Sequence, residues 1–142
     1  MVAVSDAVGR RLLAVNAAIF FHEGVAEEYP TIELVFDGLR FHLHTAADGS
    51  LRPTAEPLRA YSMPELSGEV RIEDWSLRPD YSAAIGAQLV RLGQILDGGT
   101  VCGAIMDFAN GAQLYFVNWG DELWASATRP PSNVLDGMTI QR

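Results

Sequence analysis

Ala7-Val8-Gly9-Arg10-Arg11-Leu12-Leu13-Ala14-Val15 returns later in the chain as Ala84-Ile85-Gly86-Ala87-Gln88-Leu89-Val90-Arg91-Leu92, with the glycine and the apolar positions in register. Each copy is followed by an apolar segment, a glycine turn and a second apolar segment. These are Ile32 to Phe36, Asp37-Gly38 and Leu39 to Leu43 in the first, and Ala104 to Phe108, Asn110-Gly111 and Gln113 to Phe116 in the second. Both then reach an acidic turn, Asp48-Gly49 and Gly120-Asp121. Neither unit could bury its apolar face alone, so the layout predicts one domain over 1–142 in which two similar units share a core. The repeat spans approximately 5–51 and 82–127.

The opening segments admit two readings. Val8, Leu12, Val15 and Ile19, like Ile85, Leu89, Leu92 and Leu96, recur at helical spacing, and Ser5 and Ser82 stand where N-caps would. Against a long helix, Gly9, Gly86 and Gly93 each cost about 1 kcal/mol in a helix interior. Leu13, Val15, Ala17, Ile19 and Phe21 also alternate as a strand does. A short capped turn leading into a strand is favoured in each copy, with helix against strand open for 8–21 and 85–96. Thr31 to Phe36 and Leu39 to Thr45 read as a hairpin about Asp37-Gly38, and Val101–Phe108 with Gln113–Asn118 as another about Asn110-Gly111. A further strand, Glu122 to Ala127, ends before Pro130-Pro131, which cannot continue a ladder. Between the copies Glu69 to Trp75 alternates as a strand, and the tail from Ser132 drapes over the core. The expected fold is mainly β, two antiparallel meanders related by a pseudo-two-fold as a sandwich or partly open barrel, with one or two short helices.

Composition removes several chemistries. The net charge of −8 is spread over both halves, which disfavours nucleic acid and favours a basic protein partner. All ten basic residues are arginine. Without lysine there is no Schiff base to pyridoxal phosphate and no phosphate-loop lysine. The lone Cys102 excludes an internal disulfide and a cysteine zinc site, and its apolar surroundings suit a buried small hydrophobe. Asp6, Arg10, Arg11 and Asn16 interrupt the N-terminal region, and no stretch approaches the length of a membrane span. A cytoplasmic protein with neither membrane contact nor cofactor is expected.

Three constellations of residues bear on chemistry. His42 and His44, two apart on a strand, face one side and would bind a metal with a third ligand such as His22 or Glu33. A half-buried strand showing its polar face to water is the favoured explanation, since no further His-x-His or Glu-x-x-His pair supports them. Trp119, Asp121, Glu122 and Trp124, with Asp74 and Trp75, would form an aromatic and acidic groove like a sugar-binding cleft. As turn acids and core aromatics they need no such role. The eight serines lack a nucleophile elbow. Gly9, Gly86, Gly38 and Gly111 mark positive φ or close packing, and Gly98-Gly99 reads as a plain turn.

The second copy, Ser82-x-x-Ile85-Gly86-x-x-Leu89 followed by Phe108-x-Asn110-Gly111-x-x-Leu114-Tyr115-Phe116-x-Asn118-x-Gly120-Asp121-Glu122-Leu123, resembles a pattern of small bacterial β-rich proteins over about 40 residues. Several of those resemble immunity proteins of contact-dependent or polymorphic toxin systems. The resemblance implies a small acidic protein that binds and blocks another protein, and it carries no catalytic residues. The first copy departs from it, with Asp37-Gly38 for Ala109-Asn110-Gly111 and no Gly-Asp-Glu-Leu. The leading reading is therefore a non-enzymatic binding module, an immunity-type antidote to a basic toxin. Its anchors are Trp75, Trp119, Asp121, Glu122 and Trp124, with Tyr115 a further surplus aromatic. Two alternatives stay open: a small-ligand or metal-binding barrel, enzymatic or not, using His42 and His44, and a structural subunit of a homo-oligomer such as a homodimer.

Overall fold

A computed structural model describes residues 1–142. After a 3-10 turn at Val4–Ala7 come β1 (Leu12–His22), β2 (Val25–Ala26), β3 (Thr31–Phe36), β4 (Leu39–Thr45), β5 (Leu51–Thr54) and β6 (Tyr61–Met63). A second 3-10 turn, Pro64–Leu66, leads to β7 (Gly68–Asp74) and α1 (Pro79–Ser82). The remainder is β8 (Leu89–Asp97), β9 (Thr100–Phe108), β10 (Gln113–Trp119), β11 (Glu122–Ser126) and β12 (Thr139–Gln141). Two antiparallel sheets result, ordered β5-β4-β3-β1-β7-β6 with β2 on β1, and β11-β10-β9-β8-β12. There is no closed barrel, and no helix is long and apolar enough to cross a membrane.

The repeat is visible in the ladder. β5-β4-β3-β1 and β11-β10-β9-β8 are the same meander, and the copies meet at one antiparallel bridge, Arg11 opposite Gln88. Around it the backbone bonds come in related pairs. Gly9 N–H donates to the Leu89 carbonyl at 2.8 Å and Gly86 N–H to that of Leu12 at 2.6 Å; Leu12 N–H donates to Ala87 and Leu89 N–H to Arg10. Gly9 and Gly86 hold φ of 91° and 83°, a region L side chains avoid, which turns each chain into its strand. A bulge follows each crossing, between Leu12 and Ala14 and between Leu89 and Arg91, leaving Leu13 and Val90 exposed at equivalent places.

The inner faces of both sheets supply the core. Leu12 and Leu89, Leu34 and Met106, Phe36 and Phe108, Phe41 and Leu114, and Leu43 and Phe116 are buried partners under the pseudo-two-fold. The last two pairs exchange a large for a smaller side chain in opposite senses, so the total volume is kept.

The opening segments are strands, as the glycines and the alternation favoured, but Ser5 and Ser82 do not cap. The N-caps are Ala3 and Arg78, and α1 begins with Pro79, whose missing N–H costs nothing at the first turn. The tail also does more than drape. β12 pairs with β8, and Val134 is buried with Ile95, Cys102, Ile105 and Val117 on the outer face of the second sheet. Arg142 and Arg91 both bind the Asp107 carboxylate, which fixes the chain's end.

Candidate functional site

The first copy outgrows the second chiefly between β1 and β3. Leu12 and Leu89 lie 77 positions apart (89 − 12), Phe36 and Phe108 only 72 (108 − 36), so about five extra residues stand between β1 and β3. β8 and β9 are joined by Gly98-Gly99 alone, whereas β1 and β3 are separated by β2 and by Glu27-Glu28-Tyr29-Pro30. Glu27 N–H donates to the Phe20 carbonyl at 2.8 Å, bringing the segment to where the two sheets part beside β11. Three concavities converge there, and Tyr29 lines each of them.

The cleft proper has a volume of about 210 Å³, with Trp75, Tyr29, Tyr81 and Trp124 among its walls and Glu28, Arg78 and Asp80 as its charged groups. That volume is below the roughly 300–1,000 Å³ of sites that enclose a drug-sized ligand. Trp75 is pinned from several sides. Its backbone N–H donates to the Val15 carbonyl at 2.8 Å and its Nε1 to Glu73 Oε1 at 3.0 Å. Asp74 Oδ1 accepts from both the N–H and the hydroxyl of Ser76, while Ser76 Oγ accepts from Val15 N–H. These bonds, the hydroxyl of Ser76 first, hold the Asp74 carboxyl below its ordinary value. Asp74 is thus a turn former. The Arg78 guanidinium lies over the Trp75 ring, 3.7 Å from its centroid, with Glu73 at 3.8 Å. Burial, followed by the neighbouring Asp80, pushes the Tyr81 phenol well above its ordinary value.

Beyond Tyr29 and Leu123 lies a notch of about 270 Å³ that holds Glu27, Asp121, Glu122, His42 and His44. Asp121 has φ of 67° and its N–H donates to Asn118 Oδ1 at 3.1 Å, while its carbonyl accepts from Thr45 Oγ1 at 2.8 Å. Asn118, itself buried, donates to the carbonyls of Ala46 and Ser50 and so fastens the β10–β11 turn to the β4–β5 hairpin. Asp121 therefore shapes the turn and leaves its carboxylate to solvent. None of Glu27, Glu28, Asp80, Asp121 and Glu122 forms an ion pair. The Tyr29 phenol is raised by loss of water and then by Glu28 and Glu122.

Trp75 and Trp124 thus share one cleft, and Asp121 and Glu122 share the next. Trp119 packs edge-to-face on Trp124 at 6.0 Å between centroids, within the cluster under the C-terminal segment, and supports the site from behind. Trp124 Nε1 is buried without a partner. Tyr115 is buried and bonded to Gln113, so it presents no free aromatic surface.

His42 Nδ1 lies 2.7 Å from the Glu56 carbonyl, on the rim of a basin of about 630 Å³ over the outer face of the first sheet. His44 is exposed. Glu33 sits beside His42 in the ladder but is buried and accepts from Asn16 at 3.0 Å. His22 ends β1, stacked on Phe20, six positions from the Asn16 row (22 − 16). No group of three or more His, Cys, Asp or Glu side chains converges to hold a metal. Burial, then Asp97, raises the Cys102 thiol, as for a packed hydrophobe.

Sequence reasoning missed Glu28, Tyr29, Arg78, Asp80 and Tyr81. The signal was present in the inserted Glu27-Glu28-Tyr29-Pro30, where the first copy outgrows the second by the most. Compared with known proteins, the chain matches no family model, no curated protein and no solved structure.

Proposed function

We propose that the chain is a non-enzymatic protein-binding module, of the kind an immunity-type antidote represents, and that its partner is basic. The observation that carries this is the aromatic cleft at the parting of the sheets, with Glu28 and Asp80 in its walls and Glu27, Asp121 and Glu122 in the adjoining notch, none of the five in an ion pair. A rigid tryptophan-walled recess supplies the desolvated centre of a hot spot, and unpaired carboxylates steer a cationic surface onto it. The cleft's small volume favours one side chain of a protein over an enclosed metabolite or cofactor. The resemblance of the second copy to immunity proteins points the same way.

The test is a pull-down from native lysate with the tagged chain and with Trp75→Leu, at low and at high salt. A stoichiometric basic protein, lost on the substitution and weakened by salt, is the expected result. Undiminished binding by Trp75→Leu, or a partner that is acidic, would overturn the reading.

A second reading has an observation of its own. Leu13 and Val90, about half exposed and related by the pseudo-two-fold, flank the Arg11–Gln88 crossing as an apolar pair suited to a symmetric homodimer. Light scattering at micromolar concentration decides it, because a monomer there removes the homodimer.

A further inference from the structure

Resting on the binding-module reading, we infer that the Trp75 cleft receives the guanidinium of one arginine side chain from the partner. The chain itself displays the chemistry. Arg78 lays its guanidinium on the Trp75 face at 3.7 Å while Glu73 stands at 3.8 Å, so an aromatic plane with an adjacent carboxylate already holds this group here. A guanidinium is planar and more weakly hydrated than an ammonium, and it stacks on indole at lower desolvation cost than lysine does. Glu28 and Asp80 line the same cleft and lack ion-pair partners, whereas Arg78 is engaged with Glu73. The cleft is therefore left with unanswered negative charge beside aromatic walls. An anionic side chain would be repelled by those two carboxylates, and a neutral one would gain nothing from them.

Arg78 is then a placeholder. More than half of its side chain is exposed, so water can solvate its guanidinium when it is displaced from the ring, and its positive charge opposes a second cation. Removing it bares the Trp75 face and removes the repulsion, so Arg78→Gln tightens arginine binding severalfold. Glu28→Gln and Asp80→Asn each weaken it. Both carboxylates are exposed and outside the hydrogen-bond network that fixes Trp75, so these variants fold even where Trp75→Leu does not.

The experiment titrates the whole chain with the blocked peptide Gly-Arg-Gly, followed by the indole N–H signals in two-dimensional NMR. Gly-citrulline-Gly and Gly-Lys-Gly serve as controls. The expected result is a saturable, millimolar shift of the Trp75 indole signal. Citrulline binding is weaker by about tenfold or more, lysine binding is intermediate, and Glu28→Gln with Asp80→Asn together cost about tenfold. An unmoved Trp75 signal, equal shifts with citrulline, or Arg78→Gln weakening the peptide would overturn the inference. The two readings separate cleanly. A basic partner captured by the wild-type chain with no arginine effect at Trp75 sinks the arginine pocket alone. Peptide binding without any protein partner leaves the pocket and sinks the module.

Discussion

Arg11 and Gln88 face each other as the single antiparallel bridge between the two sheets, and the bonds on either side of them are related by the pseudo-two-fold. The glycines that feed this crossing, Gly9 and Gly86, have positive φ and nothing within 4 Å of an added Cβ. Any substitution cost is therefore conformational. Gly9→Ala and Gly86→Ala are each expected to lose about 1–2 kcal/mol in urea unfolding, and by nearly equal amounts. Loss at only one site would show that the two turns are not equivalent in the folded chain.

Gly103 fails for the opposite reason. Its backbone is ordinary, but an added Cβ would lie 2.5 Å from the Phe116 carbonyl and 3.1 Å from Ile95, so β9 could not keep its register with β10. Gly103→Ala is expected to cost about 1–3 kcal/mol through overpacking. Gly93→Ala, whose Cβ would approach Gln141 no closer than 3.3 Å, is expected to cost clearly less. Thermal denaturation of the two variants side by side checks the order.

The central elements were legible because period and turn chemistry agreed. Thr31 to Phe36 and Leu39 to Thr45 alternate and flank Asp37-Gly38, and the strands fall on those residues. The openings of the copies were harder, since Val8, Leu12 and Val15 satisfy helical spacing while the bulges at Leu13 and Val90 break strand alternation. β12 was missed because only three residues pair, and its hold depends on the distant Asp107. Trp75 and Trp124 could be named as candidates from their chemistry, and the fold places both in one cleft. Tyr29 and Arg78 could not, because only the fold brings the inserted segment and the start of α1 to the same cleft.

Asp107 ties the end of the chain to the second sheet. Burial acts against its charge, but bonds from Gln113 and Arg91 and the charges of Arg142 and Arg91 outweigh it and hold the carboxyl below its ordinary value. A depressed folded pKa contributes stability above the unfolded value, near 4, and that contribution is lost as pH falls through the folded one. Both guanidiniums are partly exposed, so the effect is modest. Hydrogen exchange at Ile140, which pairs with Ile95, is expected to quicken about two- to fivefold, after correction for intrinsic rates, below pH 4 or in Asp107→Asn. Protection independent of both would separate β12 from this carboxylate.

Trp124 contains the one buried side-chain donor without a partner, its Nε1. Leaving such a group unmade costs about 1–3 kcal/mol, which Phe would relieve while keeping most of the ring against Trp119. Trp124→Phe forfeits part of the buried indole area but sheds that penalty, so the net change in unfolding free energy is expected within about 1 kcal/mol of zero. Trp124→Ala has no such offset and is expected to cost about 3–5 kcal/mol, since it opens a cavity between Trp119 and the cleft. A loss on Trp124→Phe approaching that of Trp124→Ala would mean that the indole N–H is satisfied in the folded protein, and that this ring is held by a bond as well as by packing.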